Sequence, residues 1–390
     1  MEKLFAVTAP GMEAFTRQEI THHGISSLRE ISNPQTVQFI KDTFTSDIGG
    51  VLFEGDREEI YRANLLLRTA SRVLVRFGEF YAAAFSELEK KSSRLAWERY
   101  LLPGQPVAVR VTCHKSRLYH SSAVARTLVK GIGNRLNQAS PLIKFDENSD
   151  DNPLQLIVVR LAHDKCTVSI DSSGPALHRR GYRLAAAKAP LRENLAAGVI
   201  MASGWDGTSP LIDPFCGSGT IPIEAAMMAR GIPAGGARRF AFFNWPDFDN
   251  ALWESLLTET RHQMRTSCPP ISGSDRDAGA IEMAQANATR AGVAELIEFS
   301  CQAVSAIEPA GTGWVVTNPP YGVRVSSNKV LRNLYAQFGN ILRKKCCGWQ
   351  VTLLCSSYQL LGNIGLQFDT SLALVNGGIP VKIARAVVED

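Results

Sequence analysis

Two short motifs carry residue types suited to transferring a methyl group. The first, DPFCGSGT, occupies residues 213–220, and the second, NPPYG, occupies residues 318–322. A glycine-rich turn after a strand that ends in an acidic residue is typical of a site for a nucleoside-containing cofactor. The second motif is suited to holding a planar nitrogen beside that cofactor. Together they predict methyl transfer from S-adenosylmethionine to an amino or amide nitrogen.

The second motif explains how a weak nitrogen nucleophile can react. The lone pair of a nucleobase amine is conjugated with its ring, so the amine attacks poorly until its hydrogens are held. We expect the side-chain oxygen of Asn318 and the backbone carbonyl of Pro319 to accept those hydrogens. Pro319 and Pro320 stiffen the loop, and Tyr321 can stack on an unstacked base. Positioning supplies much of the rate, so no strong general base is required.

The elements around the first motif must bring a ligand close to the backbone. A predicted strand ends at Asp213, and Gly217 and Gly219 then permit a close backbone approach before an apolar helix begins. A second predicted strand ends at Asp275, whose carboxylate we expect to accept both hydroxyls of a ribose. We expect Asp277 to cap the helix that follows.

From residue 191 onward, helices and strands alternate, which predicts a doubly wound sheet. Asn-Gly-Gly at 376–378 lies between the last two predicted strands and indicates a hairpin. We therefore expect an α/β, Rossmann-like domain with a seven-stranded, mainly parallel sheet and one antiparallel strand from a C-terminal hairpin. The long aromatic loop 232–270 is either a lid on the substrate side or a small satellite of the core. The strands are predicted at 210–213, 271–275, 298–301, 314–317, 350–356, 371–375 and 381–388.

The N-terminal half reads as two smaller α/β regions. We predict one domain at 1–55, including a strand near 36–40, and a second at 56–172, including a helix over 85–100. Residues 173–190 lack a clear period and contain two prolines and two glycines, which is typical of a linker. The catalytic domain would then occupy 191–390.

A basic segment in the second region indicates a polyanionic partner. Residues 99–144 contain eight Lys or Arg and no Asp or Glu, which favours a surface that faces the phosphates of RNA. A solvated basic face without a partner is the alternative. The linker is basic as well and can line a path for RNA. The residues expected to contact RNA are Arg110, Lys115, Arg117, Arg126, Lys130, Arg179 and Arg180.

Composition excludes several classes of protein. Of the 390 residues, 45% are hydrophobic and 20% charged, which is typical of a globular protein, and no apolar run approaches the roughly 20 residues of a membrane span. An acidic residue at position 2 and a short apolar stretch do not suit a secretory signal, so we expect a cytoplasmic protein. The eight cysteines form no CxxC pair, which favours reduced thiols and no bound metal.

Five segments of the chain resemble the THUMP-domain RNA guanine-N2 methyltransferases, which belong to the class I S-adenosylmethionine-dependent enzymes. The resemblance implies that a ferredoxin-like and a THUMP portion precede the catalytic domain. It implies guanine as the target base, held by Asn318, Pro319 and Tyr321. The segments are LHRRGYR at 177–183, APLRENLAA at 189–197, LIDPFCGSGT at 211–220, GSDRD at 273–277 and TNPPYGVR at 317–324.

The same resemblance assigns further cofactor residues. It places Cys216, with Asp213, Gly217 and Gly219, at the methionine end of the cofactor, and it places Asp275 at the ribose. Arg192 and Asn194 would lie near the amino-acid moiety. Many relatives have an Asp after the third strand for the adenine amine. Here Cys301 is followed by Gln302, whose amide oxygen would take that role.

Four alternatives to guanine-N2 methylation of large-subunit ribosomal RNA remain open. The target can be guanine N2 in tRNA, since the family includes tRNA enzymes. Asn-Pro-Pro-Tyr motifs also occur in adenine-N6 DNA methylases and in glutamine methylases of proteins. A non-catalytic RNA-binding factor for ribosome assembly is the fourth alternative, although the intact motifs argue against it.

Overall fold

The computed structural model describes residues 1–25, 49–146, 154–183, 191–321, 328–376 and 378–389. The strand predicted near 36–40 lies outside these ranges. Contacts divide the chain into two compact units, of which the first contains Met1–Val7, Ile20–Leu177 and Arg238–Leu256. The second contains Thr8–Glu19, His178–Ala237 and Leu257–Asp390.

The first unit is built on one mixed sheet of six strands. The elements of this half of the chain are β1 (Glu2–Thr8), α1 (Glu13–His22), β2 (Gly50–Gly55), α2 (Arg57–Leu66), β3 (Ala70–Tyr81), α3 (Phe85–Ser92), β4 (Val107–His114), α4 (Ser121–Leu136), β5 (Gln155–Ala162) and β6 (Lys165–Asp171). The strand order is β2-β1-β3-β6-β5-β4. Strands β4 and β5 are parallel, whereas β1–β2, β3–β6 and β5–β6 are antiparallel pairs.

Helix α3 ends earlier than the sequence indicates. We predicted a helix to residue 100, but it ends at Ser92 and only a short 3₁₀ turn follows at Trp97–Arg99. The Ser92 hydroxyl donates to the carbonyl of Glu89, and the Trp97 indole N–H donates to the carbonyl of Ser92 at 2.8 Å. Side chains therefore satisfy the last carbonyls of the helix and favour its end.

The aromatic loop is part of the core of the first unit. Phe242 stacks on Tyr61 with ring centroids 4.4 Å apart, and the Trp245 indole N–H donates to the Gln155 side-chain oxygen at 2.8 Å. The Tyr61 hydroxyl accepts the backbone N–H of Asp249 at 3.0 Å. Core packing is therefore the alternative that the structure supports, and the lid interpretation of this segment is wrong.

The second unit contains a seven-stranded sheet. The elements of this half of the chain are α5 (Glu193–Ser203), β7 (Leu211–Asp213), α6 (Thr220–Arg230), α7 (Asn250–His262), β8 (Ile271–Asp275), α8 (Ala278–Ala291), β9 (Ile297–Cys301), β10 (Trp314–Thr317), α9 (Asn328–Lys345), β11 (Gln350–Cys355), α10 (Tyr358–Ile364), β12 (Asp369–Asn376) and β13 (Ile379–Val387). The strand order is β12-β13-β11-β10-β7-β8-β9. Strand β13 is antiparallel to both of its neighbours, whereas the pairs β11–β10, β10–β7, β7–β8 and β8–β9 are parallel. The predicted single antiparallel strand is therefore confirmed.

Among the described residues, no helix is long and apolar enough to cross a membrane. All eight cysteines are free thiols. Four of them are buried, which suits packing in the core, while Cys301 and Cys347 are exposed.

Candidate active site

Three adjacent strands bring the two motifs to one edge of the second sheet. Strands β10, β7 and β8 are neighbours and run parallel, so their carboxyl ends lie at the same edge. Asp213 ends β7, Asp275 ends β8, and Asn318 follows β10 directly. Residues that are about a hundred positions apart in sequence therefore share one rim, which is where ligands bind in open α/β sheets.

The backbone of the glycine-rich turn adopts a shape that favours glycine at two positions. Gly217 and Gly219 have φ angles of 52° and 82°, in the left-handed region. A Cβ on Gly219 would lie 2.9 Å from Cβ of Ala284, whereas one on Gly217 would meet nothing within 4 Å. Gly219 therefore serves close packing against α8, and Gly217 borders open space at the rim.

Asp275 links this turn to the neighbouring strand. One of its carboxylate oxygens accepts the backbone N–H of Gly217 at 3.1 Å, and the other accepts that of Asp277 at 3.1 Å. Asp277 caps α8 by accepting the N–H of Gly279 at 2.9 Å, so the predicted cap is confirmed. Each carboxylate oxygen of Asp275 still has a lone pair for a ligand hydroxyl.

Asp213 is fully buried at the end of β7. Its Oδ1 accepts the Thr317 hydroxyl at 2.5 Å and the backbone N–H of Phe215 at 3.2 Å. Burial nevertheless raises the pKa of Asp213 to about 7, and the charge of Asp275 acts in the same direction. A desolvated carboxylate at a ligand-binding edge is typical of a functional site.

The raised pKa predicts how ligand-free protein responds to pH. A carboxyl group that binds its proton more tightly when folded stabilises the fold below its unfolded pKa of about 4, and this contribution is lost as pH rises to about 7. The loss amounts to at most about 1.4 kcal/mol per pH unit. We expect Asp213→Asn to unfold at a higher denaturant concentration than wild type at pH 8, with a smaller difference at pH 5. If the unfolding midpoints of the variant and wild type differed by the same amount at pH 8 and pH 5, the raised pKa of Asp213 would not be the cause.

The Asn-Pro-Pro-Tyr loop presents one unsatisfied acceptor. Oδ1 of Asn318 is buried and has no hydrogen-bond partner among the described residues. Pro319 is buried, and Tyr321 is half-buried with its hydroxyl accepting from the Asn376 amide at 3.0 Å. A buried acceptor without a partner costs free energy, so a ligand that donates an N–H there is favoured.

The remaining predicted cofactor residues are placed differently from one another. Asn194 is buried in the first turn of α5, whereas the side chain of Arg192, just before that helix, is exposed. Cys216 is buried, its N–H donates to the Ser274 carbonyl at 3.0 Å, and burial raises the pKa of its thiol. The backbone N–H of Gln302 donates to the Asp275 carbonyl at 2.9 Å, so Gln302 lies beside the ribose candidate.

Two arginines at the end of the predicted linker make contacts within the second unit. Arg180 was expected to contact RNA, but its side chain is almost fully buried, 3.5 Å from Glu224 in α6. That location does not suit a phosphate contact, so the expectation for Arg180 is wrong. Arg183, one of the basic linker residues expected to line a path for RNA, donates to the Thr220 hydroxyl at 2.6 Å and to the Leu191 carbonyl at 2.9 Å. It therefore joins the first turn of α6 to the segment before α5.

Comparison with known families decides what kind of protein carries this site. The RMKL-like methyltransferase domain family matches residues 180–383, which is more than half of the chain. The chain belongs to the RMKL-like methyltransferase family. The RlmL ferredoxin-like domain matches residues 3–74, and the THUMP domain matches residues 82–171. The predicted class I methyltransferase fold, the S-adenosylmethionine dependence and the enzymatic activity on RNA are confirmed at the level of this family.

Individual relatives of this RMKL-like methyltransferase cover almost all of it. The chain is 32% identical over 385 residues to "Putative RNA methyltransferase slr0064" of Synechocystis, covering 98% of this chain and 95% of the relative. It is 34% identical to ribosomal RNA large subunit methyltransferase K/L of Vibrio campbellii, covering 97% of this chain but 52% of that protein. The chain thus spans about half the length of the K/L relative. The crystal structure of SMU.472, described as "a putative methyltransferase complexed with SAH", has a TM-score of 0.85 at 30% identity and covers 100% of this chain and 98% of that one.

In the folded structure, the basic segment 99–144 of the THUMP region is less uniformly positive than its sequence indicates. Four of its eight basic residues form ion pairs with acidic residues outside the segment. At these four positions the surface is therefore not purely basic, although we expected it to be. Arg110, Lys115 and Arg126 are exposed, and Arg179 is half-buried. Contact of these four residues with RNA stays a prediction, as does that of Arg117 and Lys130, whose side chains are exposed although each pairs with an acid. The ion pairs join Arg99 to Glu2, Arg117 to Asp164, Lys130 to Glu89, and Arg135 to Glu98.

Proposed function

We propose that this RMKL-like methyltransferase transfers a methyl group from S-adenosylmethionine to the exocyclic N2 of a guanine in large-subunit ribosomal RNA. The observation that carries the proposal is the buried, unpartnered Oδ1 of Asn318 at the rim that also bears Asp213 and Asp275. A cofactor site and an acceptor for an amine N–H therefore lie on adjacent parallel strands.

The residues present fit the cofactor. Asp275 retains lone pairs for ribose hydroxyls, Gly217 borders open space, and the buried carboxyl of Asp213 suits a ligand ammonium group. When bound, S-adenosylmethionine supplies a methyl group activated by a positively charged sulfur.

The chain's own residues would orient the acceptor nitrogen. Asn318 Oδ1 accepts one amine hydrogen, and the Pro319 carbonyl takes the other, so the lone pair is turned out of conjugation with the ring. The hydrogen bond from Asn376 fixes the Tyr321 hydroxyl and thereby the ring beside the target. Positioning of this kind lowers the barrier without a general base.

The choice of polymer rests on the N-terminal matches and on the relatives. A THUMP domain and an RlmL ferredoxin-like domain precede the catalytic domain, and the K/L relative is named for large-subunit ribosomal RNA. The choice of guanine N2 as the methylated atom rests on the resemblance of the motifs to those of the RNA guanine-N2 methyltransferases. A tRNA target and an adenine-N6 target in DNA remain the competing proposals. The predicted cytoplasmic location and the predicted lack of a metal requirement stay predictions.

A comparison of three polymers tests the proposal. The purified protein would be given labelled S-adenosylmethionine with unmodified ribosomal RNA, tRNA or DNA. We expect label in the large-subunit ribosomal RNA, recovered as N2-methylguanosine after digestion. Label in DNA alone would overturn the guanine-N2 proposal, and label in tRNA alone would change the RNA class.

A further inference from the structure

An exposed tyrosine and a lysine lie at the same rim as the Asn-Pro-Pro-Tyr loop. Strand β11 lies between β10 and β13, and Thr317 at the end of β10 is paired with Leu353. Cys355, which ends β11, is paired with Lys382 of β13. Because Tyr358 follows β11 after two residues, the register places Tyr358 and Lys382 next to the strand end that carries Asn318.

Tyr358 is presented to solvent by a well-defined local structure. Its side chain is 63% exposed although it opens helix α10. Ser357 caps that helix by accepting the N–H of Leu360, and Leu360 and Leu361 anchor it in the core. Nζ of Lys382 lies 6.0 Å from the centroid of the Tyr358 ring. One flat aromatic ring and one cation are therefore held side by side.

The hairpin that carries Lys382 is tied to the target loop. Asn376, the last residue of β12, donates its amide to the Tyr321 hydroxyl at 3.0 Å. Its partner strand β13 begins at Ile379 and reaches Lys382 within the same pair of strands. Tyr321, Tyr358 and Lys382 are thus connected through adjacent strands of one sheet.

We propose that Tyr358 and Lys382 form a subsite for an unpaired RNA nucleotide next to the target base. This inference rests on the proposed RNA methylation. The base stacks on the Tyr358 ring, since every base has a face suited to an aromatic platform, and the Lys382 ammonium contacts the adjoining phosphate. A base withdrawn from a helix for methylation leaves unpaired neighbours, and such a platform stabilises one of them.

The test compares Tyr358→Ala with Tyr358→Phe in steady-state methylation of unmodified ribosomal RNA by the full chain. We expect Tyr358→Ala to raise KM for RNA about tenfold, as loss of one stacked base does. Tyr358→Phe keeps the ring and should stay within about twofold of wild type. The affinity for S-adenosylmethionine, measured by calorimetry, should be unchanged in both variants, which shows that the fold and the cofactor site are intact.

Lys382→Gln tests the phosphate contact, with Lys344→Gln as its control. Lys344 is an exposed lysine near the end of α9, the helix that leads into the opposite end of β11. We expect Lys382→Gln, but not Lys344→Gln, to reduce the slope of log KM against log salt concentration by about one.

These experiments distinguish failure of the subsite from failure of the proposed function. If wild type methylates RNA and Tyr358→Ala retains the wild-type KM, the subsite is overturned while the proposed function stands. If wild type methylates no RNA, the proposed function fails and the subsite fails with it.

Discussion

Asn318→Ala is expected to lower kcat for RNA methylation by about 100- to 1,000-fold, the usual effect of removing one aligned polar group from a transition state. Its Oδ1 is a buried acceptor with no partner in the described part of the chain. Stability should not fall, because the substitution removes an unsatisfied polar group. Single-turnover methylation of ribosomal RNA measures the loss of rate, denaturant unfolding measures the stability, and calorimetry shows whether cofactor binding is kept.

The control for this substitution is Asn363→Ala in helix α10. Asn363 is half-buried, and its amide donates to the carbonyl of Gln359 within the same helix. We expect Asn363→Ala to keep wild-type kcat. The role assigned to Asn318 would be contradicted if Asn318→Ala methylated RNA at the wild-type rate, or if it lost cofactor binding to the same degree as activity.

Asp275→Ala is expected to weaken binding of S-adenosylmethionine by about 100-fold or more. Hydrogen bonds to a charged group contribute about 1.5–3 kcal/mol each, and Asp275 is placed to make them with a ribose while also accepting the Gly217 N–H. The substitution would remove the proposed ribose contact, and it removes the acceptor of the Gly217 N–H, which loosens the glycine-rich turn. Calorimetric titration of the cofactor into the purified variant measures the change.

Asp277→Ala is the matched control for this prediction. Asp277 is a carboxylate two residues away, but it caps α8 by accepting backbone N–H groups of that helix. We expect the variant to lose about 1 kcal/mol of stability and to keep its cofactor affinity within about threefold. If Asp277→Ala weakened binding as strongly as Asp275→Ala, the ribose assignment would not stand.

The second sheet and its rim could be predicted because their signals are local. Asp213 and Asp275 each end a strand that is followed by a helix, and Asn-Gly-Gly marks the hairpin between the last two strands. Parallel strands bring their carboxyl ends together, so residues distant in sequence are predicted to meet. Thr317 was missed although it directly precedes Asn318, because only the fold shows that its hydroxyl donates to Asp213.

The charge predictions failed where the partners are distant in sequence. Counting acids between residues 99 and 144 could not reveal that Glu2 and Asp164 approach Arg99 and Arg117. Arg180 looks like a surface residue in a basic linker, yet Glu224 from α6 neutralises it in the interior. The position of an ion pair depends on tertiary contacts, which a one-dimensional charge pattern does not contain.

We propose that the chain places a methyl group on guanine N2 in large-subunit ribosomal RNA. Mass spectrometry of nucleosides from the ribosomal RNA and tRNA of a strain that lacks the gene tests it most directly, with restoration by wild type or by Asn318→Ala. We predict the loss of one N2-methylguanosine from large-subunit ribosomal RNA, restored by wild type and not by the variant. An unchanged set of N2-methylguanosines in that RNA would contradict the claim.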